Sequence, residues 1–277
     1  MKRNKSYSSG QPPKKKQRIK LPPPPNSVIP NIIDKNLSLS KEERDNKFKG
    51  RSRIHKHVPG NYPTHVYIPV LLDPNNPNDK ITLFSLYEYI HKIIPIISSH
   101  KKEFIFFESF KNIMDYDSFD NWILSLIEPL ELHISLSRLC MLKQDQRISY
   151  FNHIQDSILK NNVSPFTLEF RDFKFLENDD KTTVFLSIIS DFESLGYDNI
   201  QNLYNYIDIT MEYFNFSKYY DERICHFSIG WYINNGKDIT LENNVKNNNI
   251  EIDYLELSIN SIECKIGNRI QKISFHS

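Results

Sequence analysis

Two stretches of the chain decide the fold: Leu130-Glu131-Leu132-His133-Ile134-Ser135-Leu136-Ser137 and Ile224-Cys225-His226-Phe227-Ser228-Ile229-Gly230-Trp231. Each is an apolar run that contains a His-x-Ser tripeptide; we call these tripeptides the first motif (His133 to Ser135) and the second motif (His226 to Ser228). On a β-strand, side chains two residues apart point to the same face of the sheet. Each motif therefore presents an imidazole beside a hydroxyl. The opposite faces are expected to be core, and they carry Leu132, Ile134, Leu136, Phe227 and Ile229.

The charge of the chain is unevenly distributed. Residues 1–57 hold 16 lysines and arginines against 4 acidic residues, a net charge of +12. Residues 58–277 hold 19 against 30, a net charge of −11. This split predicts a basic tail on a separate folded body. The tail is predicted to be disordered because it is rich in proline and lysine and poor in apolar residues.

The tail also contains Pro12-Pro13 followed by Lys14-Lys15-Lys16-Gln17-Arg18. This basic run is typical of a nuclear localisation signal, so we expect an import receptor as a partner and a nuclear location. The alternative is a solvated basic tail with no receptor.

The cysteines and apolar runs indicate the compartment. Three cysteines (Cys140, Cys225 and Cys264) have no metal-like spacing, which argues against a disulfide framework and favours a reducing compartment. We expect no membrane span, because no apolar run approaches about 18 residues. We expect no secretion signal, because no apolar core follows the basic start.

Periodicity predicts an α+β fold. Helices are expected at 83–94, with Pro95 ending or kinking the first, at 147–160 and at 200–214. The apolar face of the second should carry Ile148, Phe151, Ile154, Ile158 and Leu159. Strands are expected at 64–70, 130–137, 166–175, 182–189, 224–233, 250–258, 261–266 and 269–275, with a turn at Asn178-Asp179-Asp180 and an Asn-rich loop at 243–249. We interpret residues 58–277 as two pseudo-symmetric lobes, each an antiparallel sheet with helices, that enclose a central cleft.

Two histidines and two serines in one cleft suit the cleavage of an RNA phosphodiester. A base must take the proton of the attacking 2′-hydroxyl, and an acid must protonate the departing 5′-oxygen. Histidine serves in both roles because its ordinary pKa is about 6.5. Ser135 and Ser228 are the natural donors to the charged phosphoryl oxygens. No carboxylate or cysteine stands at ligand spacing from either histidine, so we expect no metal and no cofactor.

The motifs and their flanks resemble the U6 small nuclear RNA phosphodiesterase family of the 2H phosphoesterase superfamily. The resemblance rests on both motifs, on Pro129 to Leu132 before the first, on the opening strand Gly60 to Pro69 and on the hairpin Cys264 to Arg269. It implies a 3′→5′ exoribonuclease that trims the oligouridine tail of U6 RNA without a metal, and we expect the protein to be a monomer.

The resemblance also implies roles for individual residues. His133 and His226 would be the catalytic pair, with His133 taken as base and His226 as acid, although the motifs do not fix that order. Ser135 and Ser228 would hold the scissile phosphate, Tyr220 would stack on the departing base, and Ile134 and Ile224 would contact the nucleotide. The product is either a 2′,3′-cyclic phosphate or a 3′-phosphate.

Several neighbouring residues receive other interpretations. Tyr219 is a rival of Tyr220, and Asp179 is a possible base contact. His65 is interpreted as structural, Cys225 as inert, and Trp231 as a core residue on the face opposite His226.

Two other functions remain open. One is a 2H phosphodiesterase that acts on 2′,3′-cyclic ends or cyclic nucleotides, against which the opening strand and C-terminal hairpin argue. The other is a non-catalytic RNA-binding module, against which the two intact motifs argue.

Overall fold

Strand β1 (Asn61–Leu72) organises the first sheet because it has partners along both edges. In this computed structural model, residues 58–99, 104–107, 110, 112–234 and 255–276 are described. The chain separates into two units, Met1–Lys49 and Gly50–Ser277, and the described residues belong to the second. The predicted disordered tail with its localisation signal and the predicted Asn-rich loop 243–249 lie outside the described residues.

Two larger sheets and one two-stranded ribbon make up the β structure of the described residues, and every pairing is antiparallel. The first sheet contains β1, β3 (Leu130–Ser135), β4 (Cys140–Lys143), β10 (Ser261–Ile266) and β11 (Arg269–Ser274). The second contains β2 (Ile105–Phe106), β6 (Asp172–Glu177), β7 (Thr183–Ser190) and β8 (Cys225–Ile233). The ribbon pairs β5 (Phe166–Phe170) with β9 (Leu255–Ile259).

Helices cover these sheets. They are α1 (Pro77–Ser99), α2 (Phe119–Ser125), α3 (Arg147–Lys160) and α4 (Tyr197–Tyr213), with a short 3₁₀ helix at Ile113–Asp115. The predicted α+β class with antiparallel sheets is confirmed. The pseudo-symmetric two-lobe arrangement stays a prediction. The C-terminal hairpin β10–β11 joins the sheet of the N-terminal strand, so the first sheet draws on both ends of the folded part.

The core forms where the alternating pattern predicts it. Leu132, Ile134 and Leu136 from the first stretch are buried, as are Phe227 and Ile229 from the second. Each motif strand thus presents one apolar face to the interior and its histidine and serine on the other. The first motif lies in the first sheet and the second motif in the second sheet, and strands β3 and β8 lie in contact.

Three local predictions differ from the structure, at least in part. Of the two effects expected of Pro95, ending or kinking the helix, the first does not occur: the helix continues to Ser99 because the buried Ile93 and Ile97 hold the turns on both sides of the proline. The predicted strand 166–175 is two strands: β5 pairs with β9, and only β6 pairs with β7 around the predicted turn.

The predicted face of α3 was also wrong in part. Ile148 and Leu159 are 76% and 42% exposed, whereas Tyr150, Ile154 and Ile158 are buried. These three buried residues follow each other at intervals of four, which places them along one narrow stripe of the helix. Ile148 and Leu159 lie away from that stripe.

Candidate active site

The first motif lies on a polar surface of the first sheet. His133 stands opposite Pro69 of β1, and Ser135 stands opposite Tyr67. On the far side of β1, Tyr67 is paired with Glu263 and His65 with Lys265 of β10. Since paired residues share a face, this surface carries two histidines, a serine and a charged pair side by side.

The second motif lies on β8, where its partner strand is β7. His226 pairs with Ile189, and Ser228 pairs with Ser187. The Oγ atoms of Ser187 and Ser228 are 2.8 Å apart. The second motif therefore has the predicted geometry, with the imidazole and hydroxyl on one face.

A β-bulge follows the second motif and changes the position of Trp231. Ser187 pairs with Ser228, but Leu186 pairs with Gly230, so Ile229 is an additional residue on β8. An extra residue reverses the alternation beyond it. Trp231 pairs with Phe185, which shares the face of Ser187, so Trp231 lies on the His226 face and not on the opposite one as predicted. It is nevertheless 3% exposed, which agrees with a buried role.

A cleft of about 610 Å³, which we call the motif cleft, brings residues of both motifs together. It is bounded by the first sheet, the β6–β7 turn and the segment before β8. Its lining residues include His65, Ser135, Arg138, Tyr220 and His226. Ser135 of the first motif and His226 of the second thus share one cavity, whereas His133 and Ser228 are not among its described lining residues.

The two motif histidines are electrostatically coupled. Burial lowers the pKa of His133 from its ordinary value, and the nearby charges of His226 and Lys265 lower it further. Burial also lowers the pKa of His226, while its hydrogen bond to the carbonyl of Ile224 acts in the opposite direction. Both imidazoles are therefore more readily neutral than an ordinary histidine, and burial is the main cause at each.

The same carbonyl fixes the tautomer of His226. Nδ1 of His226 lies 2.8 Å from the backbone oxygen of Ile224. A carbonyl oxygen can only accept, so Nδ1 carries the hydrogen and donates it. Nε2 is then left to take up or release a proton. Ile224 thus contributes through its backbone, and it also lines the motif cleft.

His65 is a site residue that the sequence did not reveal. Its Nε2 lies 3.1 Å from Oγ of Ser135, and its ring packs edge to face against His133 with 5.6 Å between centroids. His65, which the sequence indicated to be structural, therefore lies beside the first motif. Its chain neighbours Thr64 and Val66 face the core, whereas His65 lines the motif cleft. Burial, with the charges of His133 and Lys265, lowers the pKa of His65 to about 3.

Tyr220 and Tyr219 occupy different environments. Tyr219 is 5% exposed and stacks on Tyr204 in the interior, whereas Tyr220 is 39% exposed. Both border the cleft, but Tyr220 offers the accessible ring. Arg138 stands over that ring and pairs with Asp179 at 3.2 Å. Asp179 therefore belongs to the rim of the site through Tyr220 and Arg138.

Other predicted residues take structural positions. The Ile134 side chain is fully buried on the opposite face of β3. The hydroxyl of Ser137 accepts a hydrogen bond from the backbone N–H of Val66 at 2.9 Å. Burial raises the pKa of the Cys225 thiol, which keeps it protonated. All three cysteines are free, as predicted.

The lining of the motif cleft is rich in acidic groups. Glu177, Asp221 and Glu222 line it, and Arg138 is the one lysine or arginine among the described lining residues. Arg138 and Lys265 were missed by sequence reasoning, because each belongs to a segment whose neighbours in space are distant in the chain. A second cavity of about 730 Å³ shares Tyr219, Tyr220 and Ile224 with the motif cleft.

The described residues contain neither a cluster of metal-binding side chains nor a membrane-spanning helix. Nowhere in the described ranges do three or more His, Cys, Asp or Glu side chains come together as a set that could hold a metal ion. None of the described helices has the length and apolar character needed to cross a bilayer.

Comparison with known proteins gives the family of the chain. A family model described as HVSL, an uncharacterised conserved protein, matches residues 22–274. The U6 snRNA phosphodiesterase 1 of Dictyostelium discoideum is 27% identical over 245 residues, which cover 83% of this chain and 74% of that protein. The human protein of the same name is 20% identical over 232 residues, covering 84% and 72%.

Solved structures show the same fold. The structure of Kluyveromyces marxianus Usb1 matches with a TM-score of 0.51 and 12% identity, over 76% of this chain and 97% of that one. A second structure of that protein, with uridine monophosphate, gives a TM-score of 0.53 at the same identity and coverage. Since the family model spans most of the chain, and the relatives that match along its length carry one name, this protein belongs to the HVSL family, the family of the U6 snRNA phosphodiesterases.

Proposed function

We propose that this protein is a 3′→5′ exoribonuclease that trims the oligouridine tail of U6 snRNA by acid–base catalysis with two histidines and without a metal. The observation that supports it most is the motif cleft, where Ser135 and His226 meet across two sheets. The curated relatives are named for a phosphodiesterase reaction on this RNA. The 2H arrangement of two lobes, each with one motif strand, belongs to the same proposal.

In this mechanism the 2′-hydroxyl of the penultimate nucleotide attacks the adjacent phosphorus. His133 takes the hydroxyl proton, the bond to the 5′-oxygen of the terminal nucleoside breaks, and His226 protonates that oxygen. A 2′,3′-cyclic phosphate forms, which either remains or is opened to a 3′-phosphate.

The surroundings of the two histidines bear on these roles. Burial, with the charges of His226 and Lys265, lowers the pKa of His133, as suits a base that must be neutral. Burial lowers the pKa of His226 as well, and the Ile224 carbonyl acts against that shift, in the direction that an acid needs. Because Nδ1 of His226 is held by that carbonyl, Nε2 is the atom that delivers the proton.

Substrate binding falls to the two motif serines and to residues in and beside the cleft. Ser135 and Ser228 donate to the nonbridging phosphate oxygens, whose charge grows in the transition state. The accessible ring of Tyr220 stacks on the departing base, a contact worth about 1–3 kcal/mol that tolerates different bases. Ile224, and the backbone of β3 at Ile134, border the nucleotide.

The cellular setting is proposed from the sequence. The basic run within residues 14–18 is taken up by an import receptor, which brings the protein to the nucleus. There it acts as a monomer on the 3′ end of the RNA.

The proposal is tested with a 5′-labelled RNA that ends in oligouridine. We expect a ladder of products that shorten from the 3′ end. A matched RNA with a single 2′-deoxy residue at the penultimate position should resist the first cut, because it lacks the nucleophile. Cleavage of the deoxy RNA at the same rate would overturn the mechanism. Turnover of 2′,3′-cyclic mononucleotides with no shortening of the RNA would support the cyclic-phosphate alternative instead.

A further inference from the structure

Each motif serine has a hydrogen-bonding neighbour on the adjacent strand. Ser135 of β3 lies 3.1 Å from Nε2 of His65 on β1. Ser228 of β8 lies 2.8 Å, between Oγ atoms, from Ser187 on β7. The same relationship thus occurs in both sheets, although a histidine provides it in one and a serine in the other.

The direction of these two hydrogen bonds decides what the motif serines can do. A hydroxyl has one hydrogen to donate and two lone pairs that accept. If Ser135 or Ser228 gives its hydrogen to the neighbouring strand, none is left for a phosphate oxygen. If the neighbour donates instead, the serine oxygen is satisfied as an acceptor and its hydrogen is free to point into the cleft.

We propose, resting on the function above, that His65 and Ser187 are positioning residues that donate to Ser135 and Ser228 and so direct both serine hydrogens at the scissile phosphate. For His65 this requires the neutral tautomer with the hydrogen on Nε2. For Ser187 it requires its hydroxyl hydrogen to lie along the line to Ser228.

The surroundings of His65 suit this role. The ring is stacked on Tyr67 with 5.3 Å between centroids, and the Tyr67 hydroxyl donates to Glu263 at 2.7 Å. The ring edge also contacts His133. With its pKa lowered to about 3 by burial and nearby charges, His65 is neutral at working pH and carries a single ring hydrogen. It is therefore held in place without competing as a proton donor for the reaction.

The surroundings of Ser187 also suit a positioning role. Its side chain is fully buried, and its strand pairs with β8 directly at Ser228. A buried hydroxyl without a partner is unfavourable, so this pair stays bonded whether or not substrate is present. The bulge at Ile229 begins immediately after this pair, so Ser228 sits at the last regular position before the strand changes its alternation.

The first test reads the tautomer of His65 in the wild-type protein. Labelling the histidines with ¹⁵N and correlating the ring nitrogens with their carbon-bound hydrogens distinguishes Nε2–H from Nδ1–H. We expect His65 to be the neutral Nε2–H form from pH 5 to 8. An Nδ1–H form would overturn the assignment, because Nε2 would then accept the serine hydrogen. This measurement is independent of activity, so it holds even if the RNA is not a substrate.

The second test is a pair of double-mutant cycles on the labelled RNA. His65→Leu and Ser187→Ala should each lower kcat by roughly tenfold or more with little change in KM, since the loss of a fully formed oxyanion donor costs about 10²–10³-fold. His65→Gln, which keeps an N–H near the position of Nε2, and Ser187→Thr, which keeps the hydroxyl, should restore most of the rate.

The cycles separate positioning from general structural damage. His65→Leu combined with Ser135→Ala should be no slower than Ser135→Ala alone, and Ser187→Ala combined with Ser228→Ala should behave in the same way. Multiplicative losses in the two double variants would overturn the proposal. If His65→Leu does not fold, His65→Gln and Ser187→Thr provide the test. A fall in kcat in either variant as large as that caused by replacing its motif serine with alanine would contradict the proposal. Wild-type protein that leaves the RNA intact would refute the proposed function separately.

Discussion

The guanidinium carbon of Arg138 lies 3.9 Å from the centroid of the Tyr220 ring. Arg138 also pairs with Asp179, and burial, together with a hydrogen bond to Asp179, raises the pKa of Tyr220. Three chain segments therefore meet at this ring: the end of β3, the β6–β7 turn and the approach to β8. Because Arg138 covers one face of Tyr220, the other face is the one that can stack on a base.

This contact predicts the effect of Arg138→Ala. Without the guanidinium the Tyr220 ring is less restrained, so KM for oligouridine RNA should rise about fivefold, the equivalent of a cation–π contact worth roughly 1 kcal/mol. The chemical step should be little changed, since Arg138 has no part in proton transfer. Steady-state kinetics measure both parameters.

Arg147→Ala is a matched control, because Arg147 stands over the ring of Tyr62 at 4.2 Å and is not among the residues that line the motif cleft. It removes the same charge and a similar contact. An equal rise in KM for both variants would mean that net charge, and not the Tyr220 ring, is responsible.

The pH dependence of catalysis should be shifted toward acid. The base His133 must be neutral and the acid His226 protonated, so kcat/KM rises as His133 loses its proton and falls as His226 does. Burial and nearby charges lower the pKa of His133, and burial lowers that of His226, from the ordinary 6.5. The falling limb of kcat/KM should therefore lie below pH 6.5. A maximum above pH 7.5 would contradict this.

Lys265→Ala gives an internal check on that profile. The charge of Lys265 is one of the causes that lower the pKa of His133. Its removal should raise that pKa and move the rising limb of kcat/KM to higher pH, with a smaller effect on the falling limb, since Lys265 is not among the causes of the shift at His226.

Gly230 predicts a stability defect next to the second motif. A Cβ at this position would lie 2.5 Å from ring carbons of Phe104 and 2.8 Å from the backbone oxygen of Ile105. Gly230→Ala should force β2 away from β8 and reduce the free energy of unfolding by about 1–3 kcal/mol. Urea denaturation measures the loss. Gly60→Ala is the comparison variant, because an added Cβ there meets nothing within 4 Å. Its φ of +85° imposes a separate backbone cost on alanine.

The basic tail should act on RNA capture and not on chemistry. The folded part from residue 58 has a net charge of −11, whereas residues 1–57 carry +12. Deleting residues 1–50 should weaken binding to a long oligouridine RNA and flatten its salt dependence, while turnover of a UpU dinucleotide stays near that of wild type. Filter binding across a salt series and dinucleotide kinetics test the two parts. An equal loss on both substrates would contradict the division of labour.

The sequence predicted the structure correctly where the alternation of apolar and polar residues along a strand determines it. The alternation around His133 and His226 placed both motifs on strands with their apolar neighbours inside, and strands predicted at 261–266 and 269–275 match β10 and β11. Local periodicity could not show the β1–β3 register that brings His65 to Ser135. Nor could it show the bulge at Ile229 that moves Trp231 to the His226 face.

The same limit applies to Arg138. Its position beside Tyr220 depends on how the end of β3 meets the segment before β8, two segments that are far apart in the chain. Pro95 shows the reverse case. The local rule that proline ends a helix predicted a stop there, but the burial of the apolar residues around Pro95 keeps the chain helical.

Metal-independent catalysis by two histidines is tested by cleavage of a 5′-labelled oligouridine RNA in EDTA with wild type, His133→Ala and His226→Ala. We expect 3′ shortening by wild type in the absence of free metal and a loss of about 10³-fold in each variant, the usual size of an acid–base contribution. Activity that needs an added divalent metal, or that survives either substitution, would contradict it.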